Sequence, residues 1–201
     1  MTLDLASKRD IAAMNFLFPQ DDGTLVNFGR YFLPESAVEK EENNHYRAWA
    51  ADGFLVITDG DMIDLPRIQE DLIEYGGQFD IEEIAYDPWQ ATQMIINLME
   101  HGATCIEYKP TVNNFSDPMK HLDGMIHAKT FKHDGNPVMT WMISNVVAKI
   151  DAKDNVYPRK ERQELKIDGP VALIMAVGRW LTKPQDGPSM YEDPSAEIWV
   201  N

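Results

Sequence analysis

The N-terminal part of the chain alternates between short apolar runs and clusters of turn-forming residues. The apolar runs are Leu3 to Ala6, Ile11 to Phe18 and Leu25 to Leu33. Ser7 to Asp10 separates the first two runs, and Pro19 to Gly23 separates the second from the third. Apolar runs between turn signals are typical of strands joined by tight turns. The pattern therefore predicts an antiparallel meander of three strands.

The next segment changes to a helical period. Pro34 to Tyr46 is charged and predicts partial helix at the surface, followed by a short helix over Tyr46 to Gly53 and an extended run from Phe54 to Thr58. From Leu65 to Tyr75 the apolar residues recur at three- and four-residue spacing, which predicts an amphipathic helix. We expect that helix to end at the pair Gly76-Gly77.

The middle of the chain follows the order strand, helix, strand. Ile81 to Tyr86 and Ala103 to Tyr108 predict strands. Pro88 is suited to open the helix between them, because its missing N–H would be unpaired there anyway. We expect this helix to run to about His101 and to stop at Gly102. The two strands of such a βαβ unit should be parallel.

The C-terminal half predicts three helices, separated in part by a polar connection. The predicted helices are Asn114 to Lys129, Pro137 to Val147 and Gly169 to Leu181. The polar segment Lys149 to Lys166, with a turn at Asp154-Asn155, is either a hairpin or a mobile loop. Taken together, the elements predict an α/β domain with a mixed sheet over residues 1–182 and a C-terminal tail over 183–201.

Composition narrows the class of protein. A chain of 201 residues suits one domain with a substantial core. The single cysteine, Cys105, excludes an internal disulfide and is interpreted as a small core residue. No apolar run approaches the roughly 18 residues that a membrane span needs, and no secretory signal is seen at the N-terminus. A reducing cytoplasmic compartment is therefore expected.

Charge argues against tight nucleic-acid binding by the chain as a whole, because the net charge is −15. The charge is unevenly distributed, however. Acidic residues gather in Glu35 to Glu42 and in Asp59 to Asp64, whereas positive charge gathers in Lys120 to His133 and in Lys149 to Lys166. Carboxylates that bind metal also count as negative here, although bound cations would offset them.

Three aspartates stand at the edges of apolar segments far apart in the sequence. Asp4 lies in the first predicted strand, Asp87 ends a parallel strand, and Asp168 precedes the last apolar helix. If folding brings them together, they form an oxygen-ligand site for Mg²⁺ or Mn²⁺. Each also has a local explanation: a solvent-facing strand residue for Asp4, an Asx turn or a helix N-cap for Asp87, and a helix N-cap for Asp168. Asp10 and Asp151 are weaker candidates because both lie in turn-like contexts.

Other residue types give weaker signals. His127 and His133 could contact phosphate, but solvated surface histidines are the simpler interpretation. Trp89 and Trp141 are interpreted as core residues rather than base-stacking platforms. No Walker A loop of the form G-x-x-x-x-G-K-[ST] and no G-x-S-x-G elbow occurs, so an ATP site of that type and a serine nucleophile on that turn are not expected.

Four ordered motifs resemble one protein family. They are Ile84-Ala-Tyr-Asp-Pro-Trp89, His133-Asp-Gly-Asn-Pro137, Trp141-Met-Ile-Ser-Asn-Val-Val147 and Lys166-Ile-Asp-Gly-Pro-Val-Ala-Leu-Ile-Met-Ala176. Together with Leu3-Asp-Leu-Ala-Ser7 and Asp10-Ile-Ala-Ala13, they resemble the C-terminal nuclease domain of the large terminase subunit of tailed bacteriophages and prophages. The resemblance covers nearly the whole chain, weakly between Glu35 and Gly77 and not in the tail.

The resemblance implies a fold, an activity and a site. It implies a ribonuclease-H-like mixed sheet, with which the predicted elements are compatible. It further implies an endonuclease that binds two divalent cations, Mg²⁺ or Mn²⁺. By motif position, Asp4, Asp87 and Asp168 correspond to the catalytic metal ligands, with Asp4 bridging both ions by analogy with the fold.

The same resemblance implies partners and a setting. Double-stranded DNA is the implied substrate, with the terminase ATPase domain, the small terminase subunit and the portal as partners in the host cell cytoplasm. A membrane partner is not expected. The packaging ATPase half does not correspond to any part of this chain, so ATP-driven translocation is not expected of it alone.

Arg159 and Lys160 precede Asp168 and could hold phosphate or steer the duplex, although a solvated charge run explains them equally well. Two alternatives remain open from the residues themselves: a non-catalytic DNA-gripping or assembly module, and a resolvase or ribonuclease on the same fold.

Overall fold

The computed structural model describes residues 1–5, 9–39, 44–88 and 91–183. Its N-terminal part is a three-stranded antiparallel meander of β1 (Thr2–Asp4), β2 (Ala12–Pro19) and β3 (Leu25–Pro34). The predicted meander is therefore confirmed. Residues 6–8 of the first predicted turn lie outside the described residues.

The predicted βαβ unit is also present. It consists of β5 (Ile84–Tyr86), α4 (Thr92–Glu100) and β6 (Cys105–Glu107), and β5 lies parallel to both β1 and β6. The helix begins at Thr92, with Ala91 as its N-cap, so Pro88 does not open it. Cys105 is half-buried and packs against the edge of a core cluster, because β6 is the outermost strand on its side of the sheet.

The main sheet has seven strands in the order β4-β3-β2-β1-β5-β6, with β7 as a further neighbour of β3. Both β4 (Val56–Thr58) and β7 (Phe131–His133) run parallel to β3, and they pair with its opposite ends. The sequence pattern missed β7, because a half-exposed strand of three residues carries no alternation. Its position depends on pairing with β3 rather than on local preference.

Besides α4 and the last helix, the helices that connect and cover the strands are α1 (Glu35–Val38), α2 (Asn44–Ala51), α3 (Leu65–Gln78), α5 (Val112–Ala128) and α6 (Pro137–Ser144). Helix α3 continues through Gly76 and Gly77, so the predicted stop was wrong. Added Cβ atoms at these glycines would meet nothing within 4 Å. The helix ends where Phe79 turns into a ring cluster with Phe16 and Tyr75. Tertiary packing thus decides the end that glycine propensity placed too early.

The polar connection is an antiparallel hairpin of β8 (Val147–Ile150) and β9 (Val156–Arg159). The hairpin alternative was therefore right, and α6 ends at Ser144 because Val147 already belongs to β8. Asp154 adopts a left-handed conformation with φ of 60° in the turn. The Asp151 carboxylate accepts backbone hydrogen bonds from Lys153 and Asn155 at 2.7 and 3.0 Å and so closes the turn.

The last helix, α7 (Asp168–Thr182), is almost wholly buried and packs across β1 and β2. Successive residues of β2 point to opposite faces of the sheet. Ala13 therefore faces the cluster that includes α6 and α7, whereas Met14 and Phe16 face the cluster that includes α3 and α4. The result is a mixed sheet between two helical layers. Among the described residues, none of the helices is both long and apolar enough to span a membrane.

Candidate active site

Asp4 and Asp87 leave neighbouring strands at the same edge of the sheet. In the parallel pairing of β1 and β5, Leu3 lies opposite Tyr86, so the next residue of each strand is an aspartate. The Asp87 N–H donates to the Leu3 carbonyl at 3.3 Å, which extends the pairing to the acidic pair. Because β1 is an interior strand between β2 and β5, Asp4 is not the solvent-facing edge residue of the local alternative. Leu3 and Leu5 belong to the core on the opposite face.

Asp168 reaches the same region from the helical layer. It is the first residue of α7, whose N-cap is Ile167 and has no side-chain capping bond. The helix-cap alternative is therefore not adopted by Asp168. The cap alternative for Asp87 fails as well, since Ala91 caps α4.

The electrostatics show that the carboxylates are close together. The pKa of Asp4 lies well above its usual value, first because burial penalises the charged form and then because of the negative charges of Asp168, Asp87 and Asp10. The pKa of Asp168 is raised by burial and by the charge of Asp10, against the opposing effects of its own backbone N–H, Lys166 and Lys160. Several half-buried like charges thus share one space, an arrangement that is costly without a compensating cation.

Asp10 is a closer neighbour of the site than the sequence suggested. Its Oδ1 accepts from the Ile11 N–H at 3.0 Å and lies 2.6 Å from the Lys166 Nζ. Lys166 is only 18% exposed and stands two residues before Asp168. In the sequence, Lys166 is recognised only as part of a motif. Its spacing of two residues from Asp168 is the signal that could have identified it as a neighbour of the site.

The donor set suits a hard divalent cation, but it is not a finished coordination shell. Carboxylate oxygens are the ligands that Mg²⁺ and Mn²⁺ prefer. In the described ranges, no three His, Cys, Asp or Glu side chains are arranged to hold one ion. Asp4, Asp87 and Asp168 therefore share the oxygen-ligand chemistry of a cation site, and their negative charges raise the pKa of Asp4.

The hairpin brings positive charge to the border of the acidic site. The Arg159 guanidinium lies 4.9 Å from the centroid of the Tyr157 ring. Burial raises the pKa of Tyr157, Arg159 lowers it, and the negative charges of Asp87 and Asp4 raise it further, so this ring is near the carboxylates. Lys160 acts on Asp168 from the same strand end. Exposed Arg159 and half-buried Lys160 therefore flank the site, and their contact with DNA stays a prediction.

The remaining candidates fall outside the acidic cluster. Asp151 closes the hairpin turn, and its hydrogen bonds, first of all those with Asn155, lower its pKa. His127 is exposed, and its Nε2 lies 3.7 Å from the exposed carboxylate of Asp123. Trp141 packs against Trp49 beside the core, as its interpretation as a core residue expects. Trp89 lies outside the described residues.

A family model decides the family to which this chain belongs. The model for the terminase large subunit, endonuclease domain, matches residues 1–183. The chain belongs to this family. The resemblance of its ordered motifs is therefore confirmed.

Two curated proteins are similar in sequence to this chain. Protein YmfN of Escherichia coli (strain K12) is 37% identical over 192 residues, covering 89% of this chain and 42% of the relative. The large terminase subunit of Enterobacteria phage HK97 is 29% identical over 188 residues, covering 88% of this chain and 36% of the relative. The chain thus spans about two fifths of the length of these curated relatives.

Two crystal structures share the terminase nuclease fold. The HK97 bacteriophage large terminase has a TM-score of 0.79 at 27% identity, covering 89% of this chain and 38% of that one. The large terminase nuclease from thermophilic phage G20c has a TM-score of 0.55 at 10% identity, covering 88% of this chain and 76% of that one. The second likeness bears on fold alone. The predicted ribonuclease-H-like architecture is confirmed.

Proposed function

We propose that this terminase nuclease domain is a divalent-metal-dependent endodeoxyribonuclease that cuts concatemeric viral DNA at the start and end of packaging. The observation that carries the proposal is the convergence of Asp4, Asp87 and Asp168 from two strands and a helix far apart in sequence. Family membership supports the class of reaction, because the matching family is an endonuclease domain.

The three carboxylates are the proposed ligands of two Mg²⁺ or Mn²⁺ ions, with Asp4 contributing to both. Support comes from the raised pKa of Asp4, which reflects first its burial and then the negative charges of Asp168, Asp87 and Asp10. When bound there, divalent cations would lower the pKa of a water molecule and offset charge on a phosphate. Asp4 and Asp87 follow paired strands and Asp168 begins a buried helix, so all three ligands are held by the core rather than by mobile loops.

Arg159 and Lys160 are proposed to contact the phosphates on either side of the cut. This proposal is supported by their position, because Arg159 ends β9 and Lys160 follows it at the border of the acidic site. A guanidinium and an ammonium neutralise phosphate charge without reading base sequence. Because the chain carries a net charge of −15, the domain alone should bind DNA weakly, without sequence preference and with a steep salt dependence. In the cell, we propose that the ATPase domain, the small subunit and the portal hold the DNA in place.

The test of the proposed site is cleavage of supercoiled plasmid with Mn²⁺ or Mg²⁺ by the wild type and by Asp4→Ala, Asp87→Ala and Asp168→Ala. Each substitution should reduce cutting by about 100-fold or more, since each removes a proposed cation ligand. Asp123→Ala is the matched control, because Asp123 is an exposed aspartate of α5. Full cutting by all three variants would overturn the site assignment.

The rival activities are separated by substrate. Linear duplex, a four-way junction and an RNA–DNA hybrid should be compared at equal protein and Mn²⁺ concentrations. The proposal expects the duplex to be cut at least as fast as the other two. A strong preference for the junction or the hybrid would favour the resolvase or ribonuclease alternative, and no cutting of any substrate would favour the non-catalytic module.

A further inference from the structure

Two buried polar side chains join the central strands to the start of α7. Asn15 is 0% exposed on β2, and Thr2 is 1% exposed directly opposite it on β1. The Asn15 amide nitrogen donates to the Gly169 carbonyl at 2.9 Å, and the Thr2 hydroxyl donates to the Ala172 carbonyl at 2.8 Å. We call these two bonds the α7 clamp.

The α7 clamp fixes a helix end that has no side-chain cap. Residue Ile167 occupies the N-cap position, and its side chain cannot accept a hydrogen bond from the first turn. The groups that a missing cap leaves unpaired are N–H groups, and the Gly169 N–H donates to the Met142 Sδ at 3.4 Å. The α7 clamp acts on two carbonyls within the first five residues of the helix. It therefore ties the start of α7 to β2 and β1.

Close packing reinforces the same position. A Cβ added to Gly169 would lie 2.5 Å from the Met142 Cε and 2.9 Å from the Met139 Sδ of α6. A side chain here would require the ends of these methionines to move, so the backbone of α7 packs directly against α6 at Gly169. Gly169 directly follows Asp168, so the clamped residue and the acidic residue are joined by one peptide bond.

We propose that Asn15 and Thr2 are positioning residues that hold the Asp168 carboxylate in register with Asp4 and Asp87. The inference rests on the proposed function, because it concerns the approach of Asp168 to the proposed cations. Asn15 and Thr2 need not touch the cations themselves. Groups that orient a metal ligand typically change metal affinity by 10- to 100-fold when removed, and a backbone clamp next to the ligand acts in the same way.

Two matched comparisons separate positioning from simple loss of a buried hydrogen bond. Asn15→Ala removes the donor to Gly169. Its control, Ser116→Ala, removes a buried hydroxyl that accepts from the Val156 N–H at 3.1 Å and so joins α5 to β9. Asn27 is unsuitable as a control, because its amide donates to the Asn15 Oδ1 at 3.5 Å. Thr2→Val removes the hydroxyl at constant shape, and Thr2→Ser restores it.

The first measurement is Mn²⁺ affinity of the full chain by calorimetry or electron paramagnetic resonance, under conditions where each variant is folded. Asn15→Ala should weaken Mn²⁺ binding about tenfold, and Thr2→Val should weaken it by a smaller factor that Thr2→Ser reverses. Ser116→Ala should stay within about twofold of the wild type, even if its melting temperature falls equally. Equal losses of affinity in Asn15→Ala and Ser116→Ala would overturn the inference.

The second measurement needs no metal. Hydrogen exchange in EDTA should be faster over residues 171–176 in Asn15→Ala and Thr2→Val than in the wild type, with no such change in Ser116→Ala. Unchanged exchange there would overturn the α7 clamp whatever the result with Mn²⁺. If the wild type itself bound no Mn²⁺, the proposed cation site would fail, and the exchange result would still decide whether Asn15 and Thr2 fix the start of α7.

Discussion

The two ends of helix α7 both carry buried charge, but they differ in how far that charge is balanced. At the C-terminal end, Arg179 binds Glu83 through two bonds of 2.9 and 3.1 Å, and Lys183 lies 3.8 Å from the same carboxylate. At the N-terminal end, Lys166 pairs with Asp10 and Lys160 acts on Asp168, yet the pKa values of Asp4 and Asp168 stay raised. Burial acts in the same direction at both ends, and the partners differ.

The pKa values record that difference. Burial alone would raise the pKa of Glu83, but the bond from Arg179 and nearby positive charges lower it overall. Burial raises the pKa of Asp4, and its neighbours raise it further. A paired buried charge has a structural explanation, whereas carboxylates whose pKa values are raised by burial and by one another are candidates for a functional site. This contrast supports our proposal that the site lies at the N-terminal end of α7.

The largest expected effect is on DNA cleavage. Asp4→Asn should reduce Mn²⁺-dependent cutting by about 1,000-fold, because it removes a proposed ligand charge worth several kcal/mol in the transition state. Glu83→Gln should keep cutting within a few-fold at a temperature where it is folded. Rates measured on supercoiled plasmid check both variants. Comparable losses would remove the functional distinction between the two ends of α7.

The next largest effect is the stability loss at the balanced end. Arg179→Ala should lower the free energy of unfolding by about 3 kcal/mol, because it leaves the largely buried Glu83 carboxylate without its main partner. Urea unfolding in EDTA measures the change. The double variant Arg179→Ala with Glu83→Ala should recover part of the loss, and no recovery would mean that packing rather than charge pairing dominates there.

Added Mn²⁺ should stabilise the unbalanced end. At a concentration 100 times the dissociation constant, Mn²⁺ should raise the free energy of unfolding by about 2.7 kcal/mol in the wild type. The gain should be reversed by EDTA and should largely disappear in Asp4→Asn and Asp168→Asn. Thermal unfolding with and without Mn²⁺ tests this. An equal gain in the two variants would place the bound ion elsewhere.

The pH dependence should have opposite signs at the two ends. Asp4 and Asp168 have folded pKa values above the unfolded value near 4, so the folded state binds more protons and metal-free stability should fall as pH rises from about 4 through the raised values. Glu83 has a lowered pKa, so its stabilisation is present above its unfolded value and is lost as pH falls towards the folded value.

Asp4→Asn isolates the unfavourable contribution. It should stabilise the metal-free protein at pH 7, because burial and the neighbouring carboxylates penalise the charged form of Asp4 and raise its pKa. It should also flatten the decline of stability above pH 4. Urea unfolding at several pH values in EDTA measures both changes. A destabilised variant at pH 7 would show that the Asp4 charge is compensated in the folded protein.

The smallest effect concerns the hairpin cations. Arg159→Ala and Lys160→Ala should each weaken DNA binding modestly at all sequences and reduce the slope of log affinity against log salt by about 1. Fluorescence anisotropy with a short duplex at several salt concentrations measures the slope. An unchanged slope in both variants would leave these residues as a solvated charge run.

Local pattern carried much of the fold. The meander, the βαβ unit and the buried last helix follow from periodicity and turn residues, which act over a few neighbouring positions. The misplaced features are those that long-range packing decides. Strand β7 exists because β3 offers it a pairing edge, and α3 passes its two glycines because Phe79 docks with Phe16.

The site divides in the same way. The motifs in the sequence predicted Asp4, Asp87 and Asp168 as site residues, in that order, because each motif is contiguous in the chain. Only the tertiary structure brought Asp10 and Lys166 together across 156 positions and placed Asn15 beneath the start of α7. The physical reason is that an isolated aspartate has good local roles at a strand edge or helix cap. Its repulsion from other carboxylates exists only when folding removes them together from water.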